Sequence, residues 1–472
     1  MYIANSNKLA RRAFLKRAGH LGLAGVAAPW AMNLAAMGEA AAFSASDYKA
    51  LVCVFLYGGN DYANMLVPFD NTNYTNYNNI RKGDGTTANP GIARTQASLA
   101  GSVLVPTTAL PGGMQLALAP EMPALKTLFD AGKLAVQLNV GPLIQPTTLA
   151  QYNAKSVPLP PKLFSHNDQQ STWQSSAPEG SKAGWGGKMA DLALSNNPGS
   201  GSVFTCISVT GNAVFLSGAN AVQYQVSTSG AVPINSVKSG SLYGSSSCSA
   251  ALKALVQQAS GHLLENEYAT VTGRSISSET LVTSGLAGAP SIPTVFNTTG
   301  NTLAAQLQMV AKLISARTAL GVKRQVFMVS LGGFDLHDAL VAKHPGLLTN
   351  VSDAMNSFYG AMGDLGLQNS VTTFTASDFG RTLSSNGDGA DHGWGSHHFV
   401  LGGAVNGKNF YGTAPAIAVN GTEDVGQGRL LPTTSVDQFA ATLASWFGVP
   451  TSELGLVVPN IANYTTKNLG FV

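Results

Sequence analysis

The chain has 472 residues, 44% of them hydrophobic and only 11% charged, against about 25% charged in an ordinary soluble domain. Its formal charge of +3 sits at the start: Lys8, Arg11, Arg12, Lys16 and Arg17 against Glu39 give residues 1–42 a charge of +4, so the remainder carries −1. A near-neutral chain without a basic stripe excludes electrostatic binding of nucleic acid, and no later run of about 18 apolar residues offers a stable membrane span.

Arg11-Arg12 is followed by Phe14-Leu15-Lys16, then by a weakly apolar Gly/Ala/Leu run containing Pro29, then by Ala40-Ala41-Ala42. This order predicts a twin-arginine export signal over residues 1–42, with cleavage near Ala42. It implies the twin-arginine translocase as a partner and a periplasmic or secreted, bacterial location. Gly, Ala and Pro make the run a poor permanent anchor. The route carries folded proteins, which suits a chain that takes up a cofactor before export.

After the signal, KALVCVFLYGGND is a continuous apolar run of strand length ending in Gly58-Gly59-Asn60-Asp61. Such runs suit a strand buried on both faces, as in a parallel sheet. Residues 71–115 are polar and turn-rich and read as a long surface excursion. A helix with Leu125, Leu128 and Phe129 on one face is expected to end at Gly132, and a second strand follows at 134–140. Residues 195–300 are rich in Ser, Gly, Thr, Val and Ala, with one helical stretch near 250–268, and are predicted to form an inserted cap or sub-domain. The pattern then resumes: a helix over 302–320, a strand running into Gly332-Gly333-Phe334-Asp335, a helix over 353–366, a strand ending at Asp378, and a C-terminal helix over 436–447. Strands alternating with helices predict one α/β domain over 43–472 with a mostly parallel sheet flanked by helices. Cys53 lies in an apolar strand. Cys206 and Cys248 are open to pairing in an oxidising compartment, and their spacing is not a zinc motif.

One event recurs along the chain. An apolar strand ends, glycines follow, and a carboxylate appears: Asp61, Asp335, Asp378. In an open α/β sheet, ligands bind at the carboxyl ends of the strands, so acids hundreds of residues apart converge there. Histidines accompany them: Asp335 and His337 are two apart, Asp391 and His392 adjacent, and His397-His398 follow within GADHGWGSHHF. Carboxylate and imidazole together are ligands for zinc or manganese rather than calcium, and acids gathered in one place repel unless a cation neutralises them. A lone Asp after glycine is ordinarily a turn residue and a lone His a hydrogen-bonded structural one, as expected for His262 and His344. The joint pattern points instead to a divalent metal or catalytic centre.

Ser165, in KLFSHNDQQSTW, is placed to start a helix. It reads either as a nucleophile in the field of a helix N-terminus or as a simple N-cap. His166 beside it is a catalytic candidate, and Asn167 and Asp168 are candidate supporting groups. Arg381 suits either a phosphate or sulfate oxygen pair or an ion pair with Asp378.

These motifs together resemble an exported bacterial family known as domain of unknown function 1501. It shows a twin-arginine start, GGND after the first strand (58–61), SH followed by Trp (Ser165, His166, Trp173), GGFDxH (332–337), S[ED]FGR (377–381) and DHG (391–393). Asp378 stands where the family more often carries Glu, and residues 195–300 hold no matching motif. The family is in turn similar to the alkaline phosphatase and sulfatase superfamily. That similarity implies an alkaline-phosphatase-like fold with Asp61, Asp391 and His392 on one metal, Asp335, His337 and His397 or His398 on a second, and Ser165 as nucleophile. The activity implied is metal-dependent hydrolysis of phosphate or sulfate esters, with a small anionic ester as substrate. A protein that keeps the fold only for envelope assembly, with an envelope protein as partner, would instead show a degraded ligand set.

Overall fold

The computed structural model describes residues 45–472, so the predicted export signal lies outside the described residues. The first strand, β1 (Lys49–Leu56), is buried on both faces, and successive residues divide between two cores. Ala50, Val52, Val54 and Leu56 face one core, and Leu51, Cys53 and Phe55 the other. The period-2 alternation of side chains makes a continuous apolar run the signature of a central strand covered on both sides.

Residues 71–115 hold α1 (Asn71–Arg81) and the approach to a small ribbon of β2 (Leu66–Pro68) and β3 (Leu116–Leu118). Then come α2 (Pro123–Asp130), opened by a proline at its first position, and β4 (Leu134–Gly141). After β4 the chain forms α3 (His166–Ser175) and α4 (Trp185–Ala193). Between 195 and 300 it builds β5 (Cys206–Ser208), β6 (Gln223–Ser227) and β7 (Gly230–Ala231), then α5 (Ser246–Val256) and α6 (Leu263–Ala287). These strands extend the edge of the main sheet: β5 pairs β8 (Arg324–Leu331) in parallel. The helical stretch expected near 250–268 is instead two helices separated at 257–262. The remaining elements are α7 (Thr302–Ser315), α8 (Leu340–Asp364), β9 (Val371–Ser377), β10 (Ser396–Gly402), β11 (Phe410–Tyr411), β12 (Thr434–Ser435) and α9 (Val436–Phe447).

The sheet runs β11-β4-β10-β9-β1-β8-β5-β6-β7, with β12 also on β4. Its pairs are parallel except those made by β10 and the β6–β7 hairpin. Helices α2, α7 and α8 cover one face, and α4 and α9 the other. Because β10 is antiparallel to β4 and β9, its beginning lies at the same end of the sheet as the carboxyl ends of β1, β4, β8 and β9. Every loop that carries a candidate ligand opens there. Among the described residues no helix is long and apolar enough to cross a membrane. Cys206 is buried in β5, Cys248 is exposed on α5, and both are free.

Candidate metal centre

The loop after β8 delivers Asp335 and His337, the loop between β9 and β10 delivers Asp391 and His392, and the start of α3 delivers His166. Three of these, His166, Asp335 and His392, bring one ligand atom each within 4.8 Å of one another and form a possible metal site. His392 Nε2 lies 3.1 Å from His166 Nε2 and 2.9 Å from His337 Nε2. The Asp335 carboxylate stands 3.5 Å from His166 Nε2, 3.1 Å from His337 Nε2 and 3.4 Å from His392 Nε2.

The opposite nitrogen of each ring decides what this convergence means. His166 Nδ1 faces Asp378 Oδ2 at 2.6 Å, His337 Nδ1 faces Asp391 Oδ1 at 3.2 Å, and His392 Nδ1 faces the Phe164 carbonyl at 2.8 Å. A carboxylate or carbonyl only accepts, so each Nδ1 carries a hydrogen, and a ring with no second hydrogen turns an Nε2 lone pair inward. With the rings in that form, three lone pairs and a carboxylate meet with no hydrogen between them. That arrangement is repulsive alone and complementary to a cation. Ligands about 2.0–2.1 Å from a tetrahedral zinc stand about 3.3 Å apart, close to the five spacings given above, while His337 stays outside the group whose ligand atoms all lie within 4.8 Å of one another. An outer acceptor on every ring is the usual support of a metal-binding histidine.

The outer groups are themselves fixed. Gln170 Nε2 donates to Asp378 at 2.7 Å and Asn386 Nδ2 donates to Asp391 at 2.9 Å. Lys162 and Phe164 both adopt left-handed backbone, with φ of 47° and 71°. Non-glycine residues rarely hold that conformation, and it concentrates at functional sites; here it turns the Phe164 carbonyl toward His392. The Phe379 ring lies under the His166 and His392 rings, 4.8 and 4.7 Å between centroids.

Electrostatics follow the contacts. The Asp378 hydrogen bond raises the His166 imidazole above its ordinary value, against the effect of burial. Burial lowers His392, and the neighbouring His166, Arg381 and His337 add to that. Burial alone would raise Asp335, but the hydrogen bond and charge of Arg381 hold it below the usual carboxylate range. Asp391 is likewise held low against burial, by Asn386 and His337.

Several placements differ from the expectations drawn from sequence. Asp378 and Asp391 face the Nδ1 side of histidine rings, so they orient ligands and do not join the inner group. Asp61 forms a buried ion pair with Arg81 of α1, where the buried guanidinium needs a counter-charge, and is taken up there. His397 and His398 lie in β10, buried, and neither belongs to the group of three. His397 Nδ1 accepts from the Asn139 amide at 3.0 Å, and His398 packs edge-on against Trp173 with its centroid at 4.9 Å. Arg381 does not pair with Asp378. It is fully buried, giving Nη1 to Asp335 at 3.0 Å and to the Gly58 carbonyl at 2.8 Å, and Nε to the Ala390 carbonyl at 2.8 Å. Ser165 is the N-cap of α3 without a capping bond; its hydroxyl donates to the buried Asp168 at 3.1 Å. Gln170, Asn386 and the Phe164 carbonyl were not singled out by sequence, and Phe379 appeared only as a letter of the motif at 377–381. Of the first three, only Gln170, one turn beyond His166 on the same helix face, carried a readable signal.

Among curated proteins, none matches the chain. Among solved structures, the chain is similar to the crystal structure of Ps i-CgsB in complex with k-i-k-neocarrahexaose, at 10% identity and a TM-score of 0.35, covering 89% of this chain and 77% of that one. A second Ps i-CgsB crystal structure gives 11% identity and a TM-score of 0.34 over the same shares. A Bacteroides thetaiotaomicron structure connected with the metabolism of multiple glycosaminoglycans gives 10% identity and a TM-score of 0.33, over 86% and 74%. The family model described as a protein of unknown function (DUF1501) matches residues 48–454, and the chain belongs to that family.

Proposed function

We propose that the chain is an exported metal-dependent hydrolase of phosphate or sulfate monoesters. Its centre is built from His166, His337, His392 and Asp335, and takes a single zinc or manganese ion. The observation that carries this reading is the inward convergence of three Nε2 atoms on Asp335 while every Nδ1 is tied back to an acceptor. Asp61, His397 and His398 are engaged elsewhere, which favours one ion over two. The side chains of Asp335 and His337 are 47% and 43% exposed, and those of His166 and His392 28% and 25%. A structural metal site is closed, whereas a catalytic one keeps a side open to substrate.

A divalent ion bound there supplies Lewis-acid polarisation of the ester and neutralises charge developing on it. The chain's own residues supply the rest. Ser165 immediately precedes the ligand His166, and its hydroxyl already donates to Asp168. In the proposed first step the Ser165 oxygen bonds to phosphorus or sulfur as the bond to the alcohol oxygen breaks, and the hydroxyl proton passes through Asp168 to the departing alcohol oxygen. Water then attacks the seryl ester, its oxygen bonding to phosphorus or sulfur as the bond to the Ser165 oxygen breaks, and one water proton passes through Asp168 to restore the Ser165 hydroxyl. Gln170 and Asp378 hold His166 in place throughout.

The test is metal analysis of the full chain purified from the periplasm, with hydrolysis of 4-nitrophenyl phosphate and 4-nitrophenyl sulfate. The wild type should carry one divalent ion per chain. His392→Ala should lose it, and Ser165→Ala should keep it while activity falls on the order of 1,000-fold or more. A wild type without stoichiometric metal sinks the centre, and full activity in Ser165→Ala sinks the serine step.

A further inference from the structure

We propose that Arg429 is the residue that binds the anionic group of the substrate, presenting one edge of its guanidinium to two non-bridging oxygens of a phosphate or sulfate; the proposal rests on the metal centre described above. Two arginines lie beside that centre, and they are in opposite situations. Arg381, in the motif that follows β9, is fully buried and spent on Asp335, Gly58 and Ala390, and its remaining Nη2 is sealed from solvent. It shapes the site from behind and cannot reach an incoming ligand.

Arg429 is half-buried and fixed by only part of its head group. Its Nε donates to the carbonyl of the ligand residue His392 at 2.7 Å, and its Nη1 to the Gly426 carbonyl at 3.2 Å. The guanidinium carbon lies 5.0 Å from the centroid of the Phe164 ring, whose own carbonyl orients His392. Among the described residues, Nη2 has no hydrogen-bond partner. The guanidinium is therefore stacked, oriented and incompletely used, and it is tied to the backbone of a residue whose ring belongs to the centre. A planar fork held in that way is suited to a pair of anionic oxygens.

The segment that presents Arg429 is stiff. Gly426, Gln427 and Gly428 all have positive φ. The buried Asp424 carboxylate ties the turn together, accepting from the Gly426 and Gly428 amides at 2.7 and 2.8 Å and from the Asn420 amide at 2.7 Å. The Gly428 and Gln427 carbonyls receive the Leu383 and Ser384 amides at 3.1 and 3.2 Å, which docks the turn onto the chain just beyond Arg381. A rigidly presented cation loses little freedom when it binds its ligand. Lys162 is the other cation nearby, but it is highly exposed and already 3.6 Å from Asp168.

The experiment titrates inorganic phosphate and sulfate into metal-loaded full chain by calorimetry, with metal content measured alongside, for wild type, Arg429→Gln, Arg429→Lys and Lys162→Ala. Arg429→Gln is expected to keep its metal and lose 10- to 100-fold in affinity for at least one of the anions. Arg429→Lys should recover part of the loss, and Lys162→Ala should bind within threefold of wild type. Three results overturn the proposal while leaving the metal centre standing: wild-type anion affinity in metal-loaded Arg429→Gln, no anion binding by metal-loaded wild type, or loss of metal from Arg429→Gln, which would make Arg429 a positioning residue for His392. A wild type that binds no metal overturns the centre and this subsite together.

Discussion

Gly58 stands under the site and braces it through its backbone. With φ of 114° it occupies backbone space that other residues rarely enter. A Cβ there would collide with the backbone nitrogen of Asp335, while its carbonyl takes the same Arg381 nitrogen that holds the Asp335 carboxylate. The rest of the GGND segment braces in the same manner. The Asn60 amide donates to Ser377 Oγ at 2.9 Å, its side chain meets the buried His344 at 2.9 Å, and Asp61 neutralises buried Arg81. Gly58→Ala is therefore expected to cost about 2–4 kcal/mol of stability, as strain at a special backbone position and a displaced core do, and to weaken metal binding at least tenfold by moving Asp335. Gly332→Ala, where an added Cβ meets nothing within 4 Å, is the control and should be near neutral. Chelator competition and thermal melts measure both; wild-type metal affinity in Gly58→Ala would show that the brace does not set the ligand.

At the scale of elements, what could be read in advance depended on how much each segment specifies by itself. Helix α9 spans the residues expected from its apolar period, and it starts at a full capping box between Ser435 and Gln438. Helix α8 begins at Leu340, although only its second half was expected, and it carries Pro345 inside its first two turns. Burial of His344, Leu348 and Val351 against the sheet overrides the proline. Strands β5 and β7 are too short for alternation to show, so their place at the sheet edge comes from pairing alone. The site divides the same way. Strand-end motifs announced Asp335, His337 and His392 by residue type. Which carboxylate sits inside and which behind depends on ring direction, and a backbone carbonyl such as that of Phe164 leaves no mark in a sequence. Helix α9 also carries a testable liability. Asp437, near its N-terminus, is buried and accepts from the Asn460 amide at 3.0 Å, yet burial pushes its pKa up to about 6 despite that bond and the charge of Lys188. The unfolded chain gives up this proton first, so stability falls as pH rises from about 3.8 to about 6 and stays lowered above that. Asp437→Asn keeps an acceptor for Asn460 and removes the buried charge. It should stabilise the protein by about 1–3 kcal/mol at pH 8 and lose that advantage below pH 4. Equal melting temperatures at pH 8 would refute this.

The whole molecule is a charge-poor, three-layer α/β body with a cluster of ionisable groups at one end of its sheet, and three of its histidines are enclosed away from the inner ligand group. Burial lowers His344 to about 3, His397 to about 4 and His398 to about 3, from an ordinary 6.5. His344 lies under the β1 loop against Asn60 and Phe334, and the other two lie in β10 against Tyr62 and Trp173. Each is neutral when folded and takes a proton on unfolding once the pH is below 6.5. The unfolded state then binds more protons, so stability rises with pH across the window and is lost as pH falls from about 6.5 toward 3–4. Asp437 acts in the opposite sense over part of that range, but it is one group against three. Metal ligands also take up protons, so the measurement belongs on chelator-treated protein. Its unfolding free energy should fall steeply between pH 6.5 and 4.5, with each enclosed histidine contributing up to about 1.4 kcal/mol per pH unit. His344→Gln places a neutral amide against Asn60, and His398→Gln places one against Thr375; each should lower the starting stability and flatten the slope by up to that amount. Denaturant titrations of the metal-free variants at pH 7, 6 and 5 give the slopes directly, and slopes equal to wild type in both variants would assign the acid lability to groups other than the enclosed histidines.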